Sequence, residues 1–488
     1  MSKITLDKIK SFFFKNTSAR QTVAKNAFWL TTSNVFGRII KAALIIYAAR
    51  VLGASGYGIF SYAVSLAAFF SIFSDIGISG IVTREAAKEK GVLEKYFSAG
   101  LTIKLFLTSA SAVLVIFVAP LFTNIKEAVA LLPLTAILIA ADGLRDFCFS
   151  ITRAWEKMEL EGTINIATNI AITVIGLLVL IVHPTPKALL LGYTLGSAIG
   201  LVSSVWILRK TIAGFRPSFD FGFIKTLFKD AWPFALMGLL GTIMVNTDAL
   251  AIGYFRGAFD LGLYSAAQRP VLLLYLLPAV LSTSLFPGFA RLAKDNNRFR
   301  NVFETSMSLA FLASLPIFAG GLILAKGIIL LLYGAEYAGA AATFAVLLLT
   351  VVLVFPQTLI TNAIFAYNRQ KSFALIVALG AIGNLVLDII FIPRFGIIGS
   401  ATGTLITQAV ITAMMWRAMK KINDFHVWPR LKKIALATFV MSAVAIFLTF
   451  SGVNVLANII LCAAVYAIVL IKLRESLIQV VAPKKFNA

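Results

Sequence analysis

Charge, histidine and cysteine are all scarce in this chain. Only 13% of its 488 residues are charged, against the ~25% usual for soluble domains. The two histidines, His183 and His426, stand far apart, and the two cysteines, Cys148 and Cys462, fall in or beside apolar runs. That supply leaves nothing to build a metal cluster or a His-based catalytic centre. The cysteines are expected to pack as small apolar side chains rather than pair. No GxxxxGK[ST] phosphate loop occurs, so nucleotide hydrolysis by that route is excluded. An enzyme reading has no constellation to rest on, and no cofactor is called for.

What the chain has instead is apolar surface. Apolar residues make up 59% of it, and the mean hydropathy is +0.91. Runs long enough for a ~30 Å hydrocarbon layer lie at 26–49, 57–83, 97–122, 128–147, 163–182, 188–208, 231–255 and 261–287, and again at 305–324, 341–367, 372–392, 396–416, 434–451 and 453–471. The stretch 326–340 fits neither a span nor a simple loop. No strict alternation marks barrel strands, and Gly and Pro recur inside the runs as transmembrane helices tolerate. The expected fold is an all-α, polytopic membrane protein of about 14 transmembrane helices.

The net charge of +23, from 44 Lys and Arg against 21 Asp and Glu, would suggest nucleic acid in a soluble chain. Here its placement says otherwise. With an inside N-terminus, 33 of the 44 basic residues fall in inside segments, 6 in outside loops and 5 within spans. That bias predicts a multi-pass membrane protein with both termini cytoplasmic. Met1–Lys25 reads as a basic, amphipathic surface segment rather than a signal peptide, with Ile4, Ile9, Phe12 and Phe13 as candidate anchors.

The chain also repeats itself. Gly53-Ala54-Ser55-Gly56-Tyr57-Gly58-Ile59-Phe60-Ser61-Tyr62-Ala63 returns 204 residues later as Gly257-Ala258-Phe259-Asp260-Leu261-Gly262-Leu263-Tyr264-Ser265-Ala266-Ala267, with five identities. Gly192-Tyr193-Thr194-Leu195-Gly196 resembles Gly399-Ser400-Ala401-Thr402-Gly403 at an offset of 207. Both copies of the first motif follow an odd-numbered span, so the halves share one orientation, a parallel repeat about the membrane normal. The resulting layout is 1–25, N-terminal segment; 26–208, six-helix N-lobe; 209–230, cytoplasmic linker; 231–416, six-helix C-lobe; 417–433, basic loop; 434–471, two extra helices; and 472–488, cytoplasmic tail. Substrate is expected in a central cavity between the lobes. Spans thirteen and fourteen, free of acids, suit lipid or a platform for a lipid tail.

Ionisable residues inside spans cost at least ~2.5–3.5 kcal/mol each at the bilayer centre on insertion scales, so they mark function or pairing. The bases are Arg38, Lys41, Lys104, Arg145 and Arg269. Arg38 lies about twelve residues into its run, too deep to snorkel, and Lys41 shares its helix face at i+3. Arg38 and Arg269 have no acid within a helical turn and, with Lys41, Lys104 and Arg145, are the candidates for binding an anion such as phosphate. The acids are Asp75, Asp142, Asp146, Asp248 and Asp388. Asp142, Arg145 and Asp146 have the spacing of a structural ion-pair group. Asp75, Asp248 with Asn246, and Asp388 with Asn384 are candidates for a coupling proton or sodium ion, set against plain interhelical hydrogen bonding.

Several stretches resemble the prokaryotic oligosaccharide (O-antigen, Wzx-type) flippases of the multidrug/oligosaccharidyl-lipid/polysaccharide exporter superfamily. They include Arg38 to Arg50 with Val51-Leu52-Gly53-Ala54-Ser55-Gly56-Tyr57-Gly58, Ser74-Asp75-Ile76-Gly77-Ile78 with Arg84-Glu85, and Arg153-Ala154-Trp155-Glu156-Lys157-Met158. Tyr333-Gly334-Ala335-Glu336-Tyr337, Asn384-Leu385-Val386-Leu387-Asp388 and Ile392-Pro393-Arg394-Phe395-Gly396-Ile397-Ile398-Gly399 complete the set. The resemblance implies two six-helix lobes, two added helices, and a polyprenyl-(di)phosphate-linked oligosaccharide carried from the inner to the outer leaflet by alternating access. It also implies a setting in cell-surface polysaccharide synthesis, among membrane lipids and beside a glycan polymerase and glycosyltransferases, with the transporter itself a monomer and no nucleic acid involved. Lipid II flippases of the same superfamily carry cavity arginines matching Arg38 and Arg269. A third falls at Leu44 here, which weighs against lipid II itself, with Lys41 one turn earlier. The alternatives are an ion-coupled multidrug exporter of the superfamily, disfavoured by the deep arginines and extra spans, and a non-transporting scaffold of a glycan-assembly complex.

Overall fold

A computed structural model describes residues 13–212, 214, 220–475 and 477. Among these the chain is helical, with fifteen α-helices and no strand. Long Leu/Ile/Val/Ala runs explain this. In hydrocarbon every backbone N–H and C=O must be bonded within its own segment.

The chain divides into two compact units, Met1–Gly262 and Leu263–Ala488. The first holds α1 (Ala19–Phe70), α2 (Ile78–Lys88), α3 (Leu93–Val113), the short α4 (Lys126–Val129), α5 (Leu132–Ala154), α6 (Met158–Val182), α7 (Pro186–Ile212) and most of α8 (Phe221–Leu274). The second holds the end of α8, then α9 (Leu276–Leu292), α10 (Asn296–Ile323), α11 (Ala325–Tyr333), α12 (Ala340–Ala366), α13 (Gln370–Ile422), α14 (Trp428–Phe450) and α15 (Val455–Lys472). Starts are capped where the sequence offers a short oxygen: Ser18 accepts from the Gln21 amide, Asp295 from Arg298 and Asn454 from Leu456.

Among the described residues nine helical stretches, or ten counting a bent pair, are long and apolar enough to cross a membrane. Three of these are two expected spans long, parted by non-helical backbone at Gly53, Gly257 and Gly396. Helix α5 stays outside that group because it carries Asp142, Arg145, Asp146 and Arg153. The expected count of about fourteen spans is recovered in this way. The ambiguous stretch near 326–340 becomes the short α11 and a 3₁₀ turn at Ala335–Tyr337.

The repeated motif has a structural counterpart. Gly53 (φ 67°, ψ 176°) and Gly257 (φ 84°, ψ −172°) adopt nearly the same positive-φ conformation, open at little cost only to glycine. Five residues on, within the first unit, the two copies touch reciprocally. A Cβ on Gly58 would fall 1.7 Å from the Ala258 carbonyl oxygen, and one on Gly262 would fall 1.8 Å from the Ala54 oxygen. Equivalent residues thus meet across a local twofold, and the missing side chains allow that approach.

One expected span is broken. The run 57–83 leaves α1 at Phe70, passes a 3₁₀ turn at Ser71–Ser74, extends at Asp75 and resumes as α2 at Ile78, the two parts bent by 47°. The Asp75 carboxylate accepts from the Ser79 amide (3.3 Å) and hydroxyl. It satisfies donors that a helix start leaves open.

At the N-terminus, Ile4, Ile9 and Phe12 lie outside the described residues. Phe13 packs on Phe28 at 4.9 Å, and its carbonyl accepts from the Trp29 indole at 2.9 Å. Lys25, one of the basic residues of this segment, is buried. Its ammonium donates to Glu159 (2.6 Å), Asn16 (2.6 Å) and the Glu156 carbonyl (3.2 Å). It pins the segment to the start of α6. Both cysteines are free and buried.

Candidate functional site

Three arrangements of the predicted residues emerge. The first lies midway along the first half of α1. Arg38 is exposed there, and among the described residues no carboxylate pairs with it. Lys41, half-buried one turn on, lies 5.6 Å from the centroid of the Tyr193 ring on α7, a cation–π contact. Leu44 points elsewhere. It is fully buried, and its side chain comes within 2.8 Å of where a Cβ on Gly176 of α6 would be. Position 44 is a helix-packing position in this chain.

The second arrangement gathers Asp75, Lys104 and Arg145 with acids from α5. A cavity of about 340 Å³ in the first unit is lined by Ser74, Asp75, Lys104, Thr135, Asp142 and Asp146, among others. Lys104, with only 1% of its side chain exposed, donates to Asp75 at 2.9 Å. Arg145 lies 2.8 Å from Asp142. The expected trio is only partly right, because Asp146 pairs with Arg153 at 2.9 Å. Arg153 also grips Glu161 of α6 through Nε (3.0 Å) and Nη2 (2.8 Å). Such a fork suits a carboxylate. The Arg153 to Glu161 link was missed from sequence because both residues sit at the ends of apolar runs and count there as loop charge. The i, i+7 and i, i+8 spacings within Asp146-x₆-Arg153-x₇-Glu161 were the available signal.

The third set is scattered. Asp248, buried on α8, and Asn246, whose amide donates to the Thr242 carbonyl at 3.1 Å, belong to the first unit. Asn384 and Asp388 lie together in the second. Asp388 is buried and accepts from Asn384 at 2.9 Å and from Ser400 at 3.2 Å, so it ties the two halves of α13 together across the Gly396 break. Arg269, half-buried on α8 beyond its break, belongs to the second unit. That unit also holds an apolar cavity of about 420 Å³ lined by Leu277, Pro278, Leu309, Phe355, Tyr466 and Leu470, among others. Among the described residues no group of three His, Cys, Asp or Glu is placed to hold a metal ion.

Comparison with known proteins follows the same lines. Residues 23–293, more than half of the chain, match the model of a family described as "Polysaccharide biosynthesis protein". A putative O-antigen transporter of Shigella flexneri is 25% identical over 401 residues, covering 78% of this chain and 93% of the relative. The probable low-salt glycan biosynthesis flippase Agl15 of Haloferax volcanii is 23% identical over 397 residues, covering 80% and 82%. Among solved structures, the lipid II flippase MurJ in an inward closed conformation superposes with a TM-score of 0.78 at 20% identity, over 92% of this chain and 99% of that one. At that identity the likeness speaks for the fold.

Proposed function

Since the chain belongs to the polysaccharide biosynthesis protein family, and is a multi-pass membrane transporter rather than an enzyme, we propose that it carries a polyprenyl-(di)phosphate-linked oligosaccharide from the inner to the outer leaflet by alternating access. The observation that carries this reading is Arg38, an exposed cation midway along an apolar helix with no carboxylate paired to it among the described residues. A charge so placed is costly, and an anionic cargo that replaces its water and counterions explains its presence. Arg presents a planar fork that matches phosphate oxygens two at a time. Lys41, one turn away, adds a second cation. Arg269, on the second unit, is a further candidate cation. The apolar cavity against α15 offers hydrocarbon surroundings to the lipid tail, which then need not leave an apolar medium while the headgroup crosses.

The basic bias of the loops supports two cytoplasmic termini. Asp75, Asp248 with Asn246, and Asp388 with Asn384 are the candidates for coupling to a proton or sodium ion, with no resident cofactor. The protein works as a monomer beside glycosyltransferases and a glycan polymerase. The test is Arg38→Ala, and separately Arg269→Ala, in a cell whose surface glycan depends on this gene. Both variants are expected to reach the membrane and lose glycan export. Full export by both defeats the reading.

A further inference from the structure

The cavity in the first unit has the wrong surface for a phosphate and the right one for a sugar. Its bases lie behind its acids. Lys104 is sealed at 1% exposure and Arg145 keeps 15%, while the Asp142 and Asp146 side chains are 46% and 48% exposed. An anion entering would meet two half-exposed carboxylates before reaching either cation.

Those carboxylates have hydrogen-bonding capacity left over. Each touches its arginine through Oδ1, and no protein group among the described residues bonds Oδ2 of either. The Asp142–Arg145 contact is close without being aligned. Asp142 Oδ1 and the Nε and Nη1 groups of Arg145 are buried and make no hydrogen bond. The half-exposed carboxylates, by contrast, line the cavity and can be reached from it. A ligand with many hydroxyls can donate to their remaining oxygens without displacing either arginine. The volume of about 340 Å³ falls within the ~300–1,000 Å³ of small-molecule sites.

We propose that this cavity is the sugar subsite of the transporter: Asp142 and Asp146, backed by Arg145 and Arg153, bind hydroxyl groups of an uncharged sugar in the headgroup, while Arg38 and Lys41 take the phosphate. The Asp75–Lys104 pair lines the same cavity and ties the broken segment between α1 and α2 to α3. This rests on the transport reading above and divides the headgroup between two sites of opposite character.

The test uses the full-length protein in lipid nanodiscs and native mass spectrometry with two probes, undecaprenyl diphosphate and undecaprenyl diphosphate bearing one N-acetylglucosamine. The wild type is expected to prefer the glycosylated probe by about tenfold or more, as befits hydrogen bonds to charged groups. The double variant Asp142→Asn, Asp146→Asn is expected to lose that preference while still binding the bare diphosphate, which also reports that it is folded. Ala68→Phe, which adds bulk at an uncharged position of the cavity lining, should do the same. A preference that survives both variants, or equal loss of both probes, overturns the subsite. Wild-type protein that binds neither probe overturns the transport reading and the subsite with it.

Discussion

Arg38 and Lys104 are both single cations set in apolar helices of the first unit, and their surroundings are opposites. Lys104 is buried against Asp75 at 2.9 Å, in a group where Arg145 touches Asp142 and Arg153 touches both Asp146 and Glu161. Arg38 is exposed and meets no acid among the described residues. A buried pair offsets its own desolvation, and losing one partner is what hurts. An unpaired cation gains nothing in the resting fold and is retained for what binds it. The lesson is that depth in a span does not by itself separate structural charge from functional charge. The partner does.

The sharpest way to break this contrast is Arg38→Ala. Transport of lipid-linked glycan in reconstituted vesicles should fall by about 100-fold or more, the loss of a charge-assisted, bidentate contact to phosphate, with an unchanged melting temperature. An Arg38→Ala protein that melts earlier and still transports would place Arg38 with Lys104.

Lys104→Ala should do the reverse. Asp75 loses its counter-charge and its hold on the α1–α2 break, for a cost of about 2–3 kcal/mol, somewhat below a fully buried pair because Asp75 is partly exposed. Replacing both partners, as Lys104→Met with Asp75→Asn, should restore most of the melting temperature in detergent. Failure of the double variant to recover would mean that the cation itself is required.

Lys25→Met extends the contrast to the end of the helix. Its ammonium bonds to Glu159, Asn16 and the Glu156 carbonyl while fully buried, so a loss of about 2 kcal/mol is expected once three donors vanish. Faster proteolysis ahead of α1 should accompany it. A silent substitution would return Lys25 to the ordinary basic residues of a cytoplasmic flank.

Smallest is Asp295→Asn. Its pair with Arg298, at 3.4 Å, is largely exposed, so the ion pair is worth ~0–1 kcal/mol. The Asn side chain still caps α10. A melting temperature within error of wild type is the expectation, and a large drop would show that exposure is a poor guide to charge strength in this chain.

Much of this was legible beforehand. Arg38 and Lys41 stand out because an apolar run makes any charge conspicuous, and Asp142 with Arg145 follows from helical spacing alone. Gly53 and Gly257 were visible as a repeated motif, though only the backbone revealed their shared conformation. Lys104 and Asp75 are 29 residues apart and Lys25 and Glu159 are 134 apart, and no local pattern joins either pair. The same limit explains Leu44, whose place against Gly176 depends on how α1 meets α6.

Hydropathy and local spacing are properties of a segment, because a helix in hydrocarbon satisfies its own backbone and needs no neighbour to exist. The sequence by itself therefore determined the all-helical class, the approximate number of spans, the glycine-parted pairs and the short roster of intramembrane charges. Which of those charges would be neutralised is decided between helices, over a few ångströms and through a dielectric that depends on burial. Only the tertiary structure could set Lys104 on Asp75, turn Asp142 and Asp146 towards a cavity, and leave Arg38 without a carboxylate partner among the described residues.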